Sequence, residues 1–261
     1  MFVNIRWFAR WKSHKPSLKI STEILNNGYE RIASINKSEL KRIVDIFKPR
    51  IDDVKANKEG APFVNLLKSE DISIENPVFK LAFSKEIFDV ASDYFGGNFI
   101  LDSIQVLYSW PNNGGLRESQ KWHKDYGDNK SFHAVIYLND VETTEDGPFV
   151  FVNKEESKSI KYSPLVRRIN DEVFKRELDD GEIKYFYGKA GDVVLVDPAV
   201  CYHYGSRGSN SRMALFLTFN TSMPFVKPQE LILQNGNKLL DVARQLRPDL
   251  SESFLDRVIS V

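Results

Sequence analysis

The stretch Gly191-Asp192-Val193-Val194-Leu195-Val196-Asp197-Pro198 reads as a turn, a wholly apolar strand and a loop. A short β-branched run closed off on both sides by turn formers fits a strand buried on both faces. Working outward, similar runs recur from Asn98 onward: Phe99–Leu107, Phe132–Leu138, Phe149–Val152, Lys184–Tyr187 and Met213–Phe219. Turn-forming residues punctuate them, as in Pro111-Asn112-Asn113-Gly114-Gly115 and Asp146-Gly147-Pro148. Many short strands without long intervening helices predict a mainly β fold of the jelly-roll type, not a parallel α/β sheet.

The first 97 residues read instead as a mostly helical scaffold. Asn36-Lys37-Ser38-Glu39 has the form of a capping box. After it, Leu40, Ile43, Val44, Phe47, Ile51 and Val54 recur at helical spacing, with a break expected at Pro49. A second helix is predicted from Ser84 to Tyr94, ended by Gly96-Gly97. Within the β region, the charged stretch 154–182 carries Leu165, Val166, Ile169, Val173, Phe174 and Leu178 at roughly helical spacing, which predicts an inserted helix or lid over a sheet edge. A helical segment, Leu239 to Leu246, ends before Pro248 within a C-terminal extension, 227–261. With no internal repeat or linker, the chain reads as one domain with its β core over 98–226.

Composition narrows the function. The 261 residues are 42% hydrophobic and 12% aromatic, enough for a sizeable core. Lys+Arg and Asp+Glu both number 36, so there is no basic footprint for nucleic acid. No stretch approaches the ~20 apolar residues of a membrane span. The opening residues mix Phe2, Trp7, Phe8 and Trp11 with Arg6, Arg10, Lys12 and Lys15, a pattern open to peripheral membrane contact but more often packed on its own domain. The single cysteine, Cys201, fits a reducing compartment and places the protein in the cytoplasm.

Only four histidines are present: His14, His123, His133 and His203. In Trp122-His123-Lys124-Asp125, an extended backbone projects residues 123 and 125 to one side. His203 follows the Gly191–Pro198 strand and loop, from where the chain can fold back beside that pair. Two imidazoles and a carboxylate on one face of a metal form a facial triad with open positions; the same set also suits a zinc hydrolase. Arg212, heading Arg212-Met213-Ala214-Leu215-Phe216-Leu217-Thr218-Phe219, shares a strand face with Ala214, Phe216 and Thr218, and its fork of donors suits a carboxylate. His133 alternates against Phe132, Ala134 and Ile136, and is expected to be structural, or substrate-contacting if its face is the cavity, and not a ligand.

Taken together, the pattern resembles the phytanoyl-CoA dioxygenase-like branch of the Fe(II)/2-oxoglutarate-dependent oxygenases, over roughly Leu25 to Asn220. The pieces are Asn27-Gly28-Tyr29, Trp122-His123-Lys124-Asp125, Tyr137-Leu138-Asn139-Asp140-Val141 and Glu145-Asp146-Gly147-Pro148-Phe149, then Gly191 to Asp197, His203-Tyr204-Gly205-Ser206 and Asn210-Ser211-Arg212. The resemblance implies a double-stranded β-helix (jelly-roll, cupin-like) core and iron at His123, Asp125 and His203. It further implies 2-oxoglutarate held by Arg212, O2 as oxidant, and hydroxylation of a small-molecule substrate with release of succinate and CO2. Tyr108, Gln105 and Ser206 are expected to touch co-substrate or substrate. Asp125 stands where related halogenases carry a small residue, which favours hydroxylation. One departure is Asn153-Lys154-Glu155-Glu156-Ser157, where family members often have Pro-Gly-Ser-His on the substrate side. A non-catalytic binding member of the same fold is the alternative outside enzymes.

Overall fold

The computed structural model describes residues 22–55, 62–112, 114–160, 167–178 and 180–259. The N-terminal aromatic and basic segment, and Lys161, Leu165 and Val166 of the insertion, lie outside the described residues. Nine strands are described: β1 (Tyr29–Ile32), β2 (Phe63–Asn65), β3 (Phe99–Ser109), β4 (Ser131–Tyr137), β5 (Phe149–Val152), β6 (Ile183–Phe186), β7 (Val193–Val196), β8 (His203–Tyr204) and β9 (Arg212–Thr221). They form a six-stranded sheet in the order β1-β7-β4-β9-β3-β2 and a three-stranded sheet in the order β6-β5-β8. Every strand pair is antiparallel. The two edge strands β1 and β2 come from the region read as helical scaffold, which therefore also completes the large sheet.

Period-two alternation sorts the side chains of the large sheet into two environments. Phe132, Ala134 and Ile136 of β4, Val193 and Leu195 of β7, and Met213, Leu215, Leu217 and Phe219 of β9 pack in one cluster with the helices. Phe88 sits at its centre, 5.4 Å from the ring of Phe99, 6.0 Å from Phe219 and 6.3 Å from Phe254. Full burial of one such ring contributes about 1.5–3 kcal/mol. The alternate residues, Val135, Tyr137, Val194, Val196 and Ala214, meet Phe149, Phe151 and Phe186 of the small sheet in a second cluster. Space between the two sheets is where the polar residues converge.

Helices are found at the three stretches read as helical outside the insertion, and also at Thr22–Asn27, Pro77–Ala82 and Glu230–Gln234, which were not read from the sequence. Asn36 Oδ1 accepts from the backbone amide of Ser38 and caps Lys37–Phe47, and a second helix, Arg50–Lys55, starts just past Pro49. Lys85–Asp89 forms a π-helical turn that continues into Val90–Tyr94. After Pro248 the chain forms a further helix, Glu252–Ile259, whose Phe254 and Val258 join the helix-side core. No helix among the described residues is long and apolar enough to cross a membrane. The insertion differs from expectation. Ile160, Ile169, Phe174 and Leu178 pack against Val150, Val152 and Ile183, so it covers the outer face of the small sheet instead of an edge. Alternation in β5 explains this: 149 and 151 point between the sheets, leaving 150 and 152 as an apolar outer face needing cover.

Candidate active site

His123 and His203 lie on facing backbone segments, joined by two reciprocal hydrogen bonds: the His123 amide donates to the His203 carbonyl at 3.1 Å, and the reverse bond is 2.9 Å. Each imidazole is then pinned from behind. His123 Nδ1 lies 2.8 Å from the Lys121 carbonyl and His203 Nδ1 lies 3.1 Å from the Cys201 carbonyl. A carbonyl only accepts, so both Nδ1 atoms carry the proton and both Nε2 lone pairs face outward. They face the same carboxylate oxygen: Asp125 Oδ1 is 3.6 Å from His123 Nε2 and 3.7 Å from His203 Nε2. Asp125 is itself held by its amide, which donates to the Pro198 carbonyl at 2.8 Å.

Protonation suits a metal. Burial, together with nearby His203, pushes His123 down to about 3, and burial also lowers His203. Burial opposes the charge on Asp125, but coulombic attraction to His203, His133 and His123 in their protonated forms outweighs it and holds the carboxyl below its ordinary range. At neutral pH the group is two neutral imidazoles and one carboxylate, the form in which these side chains bind a divalent cation. The three donors lie within 4.8 Å of one another. The sequence-predicted triad is thus brought together, and its donor set fits an iron that keeps positions open for other ligands.

Loops that carry this triad are fixed by residues whose role was not visible in the sequence. Asp197 is fully buried, accepting from the Tyr94 hydroxyl at 2.6 Å and from the Ser131 and Ala199 amides. It anchors the turn leading to His203. Gly28 has φ +79°, and a Cβ there would lie 2.5 Å from Cys201 Sγ, so only glycine lets this turn seat against the N-terminal strand.

Arg212 heads β9 at the closed end of the inter-sheet space. It is buried, and its side chain donates to the Gly147 carbonyl and to Ser206 Oγ, both at 2.7 Å. Ser206 Oγ is also 2.7 Å from Ser109 Oγ. Nε of Arg212 has no hydrogen-bond partner, and no carboxylate among the described residues pairs with the guanidinium. Burial accordingly lowers the Arg212 pKa. A buried cation with a free donor and no counter-charge fits an anionic ligand. Ser206 is thus placed beside Arg212, as a residue that orients it.

The other end of β9 opens into a cavity of about 330 Å³ bounded by Asp125 and His133. Gln105 lines it, as the sequence suggested. Tyr108 does not: it packs in the helix-side cluster, its ring 4.9 Å from that of Trp110. Gln105 and Tyr108 differ by three positions, an odd number, so a strand cannot turn both inward. His133 faces the cavity, with Nε2 3.5 Å from Asp125 Oδ2, and burial pushes its pKa down to about 4. Asp102, which was passed over in the sequence, and Arg168 of the insertion also line the cavity. Adjacent polar residues Asp102-Ser103 between Leu101 and Ile104 were the available signal for the first.

No family model matches the chain, and no curated protein matches it in sequence. Its fold does match solved structures. One is the non-haem alpha-ketoglutarate-dependent epimerase SnoN from nogalamycin biosynthesis, at 15% identity and a TM-score of 0.53 over 79% of this chain and 81% of that one. Another is HygX from Streptomyces hygroscopicus, solved with nickel and 2-oxoglutarate bound, at 14% identity and a TM-score of 0.51 over 80% and 88%. A third is EctD from S. alaskensis with bound Fe, at 19% identity and a TM-score of 0.54 over 79% and 78%. At these identities the likeness establishes the jelly-roll fold.

Proposed function

We propose that this chain is one Fe(II)- and 2-oxoglutarate-dependent dioxygenase domain of the phytanoyl-CoA dioxygenase-like branch, which hydroxylates a C–H bond of a small molecule. The observation that carries the reading is the pairing of a facial His123, Asp125 and His203 set with the buried, uncompensated guanidinium of Arg212. A metal hydrolase would use the triad alone and leave Arg212 without a role. Solved neighbours that hold 2-oxoglutarate with nickel, or Fe, on the same fold add support.

When bound, Fe(II) and 2-oxoglutarate supply the oxidising chemistry: O2 is reduced as 2-oxoglutarate becomes succinate and CO2, and the substrate C–H bond is hydroxylated. The chain's residues place and shield these reactants. His123, His203 and Asp125 hold the metal from one side. Arg212 takes the distal carboxylate of 2-oxoglutarate, with Ser206 and the Gly147 carbonyl fixing the guanidinium plane. Phe149, whose ring is 5.4 Å from that of His203, and Phe216, 6.3 Å from that of His133, keep the space between the sheets dry. The one cysteine, Cys201, is a free and buried thiol, in keeping with the reducing, cytoplasmic setting proposed from the sequence.

The test is succinate formation from 2-oxoglutarate, expected only with both Fe(II) and O2 present. Under anaerobic conditions Fe(II) and 2-oxoglutarate should give the weak visible charge-transfer band of their chelate. Asp125→Ala should lose iron binding and turnover while keeping the fold; undiminished iron binding and turnover in that variant would refute the assignment.

A further inference from the structure

The cavity beside Asp125 says what kind of molecule it takes. Strand β3 loses register with β9 between Leu101 and Ser103: Leu101 faces Phe219 and Ser103 faces Thr218, leaving Asp102 as the extra residue of a β-bulge. Regular alternation would give the cavity one of these two residues. The bulge gives it both, since Asp102 and Ser103 line the cavity while Leu101 and Ile104 remain in the helix-side core. Bulges of this kind re-aim a side chain and are common beside active sites.

The carboxylate so delivered is held but not neutralised. Asn220 Nδ2 donates to Asp102 Oδ1 at 2.9 Å, while Asn220 Oδ1 accepts from Ser131 Oγ at 2.7 Å, so a chain of neutral groups fixes its orientation. No Lys, Arg or His among the described residues lies within ion-pair distance of Asp102. Neighbouring Asp128 is a contrast. Its two oxygens accept from the Asn129 amide, the Thr221 amide and the Thr221 hydroxyl, at 2.7, 2.7 and 2.6 Å, which leaves it structural. The charged or titratable groups sharing the cavity with Asp102 are Asp125, Asp128, His133, Arg168 and Lys227, of which His133 is held neutral by burial.

A carboxylate drawn from water, oriented by neutral donors and left with open lone pairs lacks only a cation. We infer that the substrate carries a cationic nitrogen group, an amine or quaternary ammonium, and that Asp102 is the specificity-determining residue that receives it. The inference rests on the oxygenase reading of the same site. Pairing at Asp102 anchors one end of the substrate on β3 and leaves a neighbouring C–H bond to lie toward Asp125. At about 330 Å³ the cavity is at the small end of ligand pockets, which fits a small metabolite.

The experiment separates the two readings. Wild-type protein is first tested anaerobically for the Fe(II)/2-oxoglutarate charge-transfer band; without it, the oxygenase reading fails. Protein that gives the band is screened for stimulated succinate release and, anaerobically, for calorimetric binding. The panel contains small amino acids, diamines and quaternary ammonium compounds, each paired with its N-acetylated or uncharged isostere. Cationic members should stimulate and bind, and their neutral isosteres should not. Asp102→Asn, which keeps an acceptor for Asn220, should raise KM and Kd for the best cation about tenfold or more, with a smaller change in kcat. If Asp102→Asn proves unfolded by circular dichroism, Asp102→Glu takes its place and should retain the cation preference with weakened affinity. Stimulation only by neutral or anionic compounds, no stimulation by any cation, or unchanged affinity in Asp102→Asn would overturn the inference.

Discussion

The two ends of the inter-sheet space are built on the same strands, β3 and β9, and differ in how their charges are handled. At the closed end, Arg212 is buried and its hydrogen bonds go to groups of the chain, Gly147 and Ser206. At the open end, Asp102, Arg168 and Lys227 line a cavity whose wall includes the exposed Tyr126 and Val226. On the proposed reading, the closed end would be a fixed socket for one anion of constant shape. The open end would then be where the chain's own specificity is written, since a co-substrate is shared between oxygenases and a substrate is not.

The sharpest way to break this comparison is Arg212→Met. Removing a buried guanidinium from a charge-assisted contact should raise the apparent Kd for 2-oxoglutarate by about 100-fold, with Arg212→Lys recovering only part of the affinity. Titration of the charge-transfer band reads this directly, and an unchanged constant would mean the closed end holds something else. A second, smaller effect belongs to the open end. Burial, with Asp125 and Asp128 nearby, pushes Asp102 up to about 6. A carboxyl raised on folding binds its proton more tightly in the native state, so it destabilises the fold as pH rises through that value. Metal-free Asp102→Asn should therefore be more stable than wild type by about 1–2 kcal/mol at pH 8, with the gain vanishing below about pH 4. Chemical denaturation at the two pH values measures it; a variant less stable at pH 8 would make Asp102 structural.

Ser109→Ala removes one neutral partner from Ser206 and should weaken 2-oxoglutarate binding only a few-fold. Smallest of all is Tyr108→Phe, where the hydroxyl lies on a strand face turned from the site. Kinetic constants within about twofold of wild type are expected there, given the alternation of β3. A larger loss would mean β3 is read in the wrong register.

What was legible in the sequence follows the same physics. Alternation and turn chemistry placed the strands, and the meeting of His123, Asp125 and His203 and the position of Arg212 at the head of β9 were readable because each sits where period two or a motif forces its direction. Tyr108 was misplaced because two residues at odd separation were assigned to one face. Asp102 was missed because a bulge breaks the periodicity on which such readings depend. β1 and β2 were missed because edge strands of four and three residues carry too little pattern to stand out from a helical region. Asp197 and Tyr94, 103 positions apart, meet only after the sheet has folded. Within the insertion, Lys158 pairs with Glu155, while Arg168 reaches the cavity.

The paired amides of His123 and His203 carry a last consequence. Because the backbone of each histidine is the other's anchor, and β8 spans only two residues, local opening of the small sheet would carry both imidazoles together away from a metal held between them. If the proposed metal binds there, deuterium exchange at these two amides becomes a clock for its residence: slow while the ion is seated, faster once it leaves, and legible without any colour in the protein.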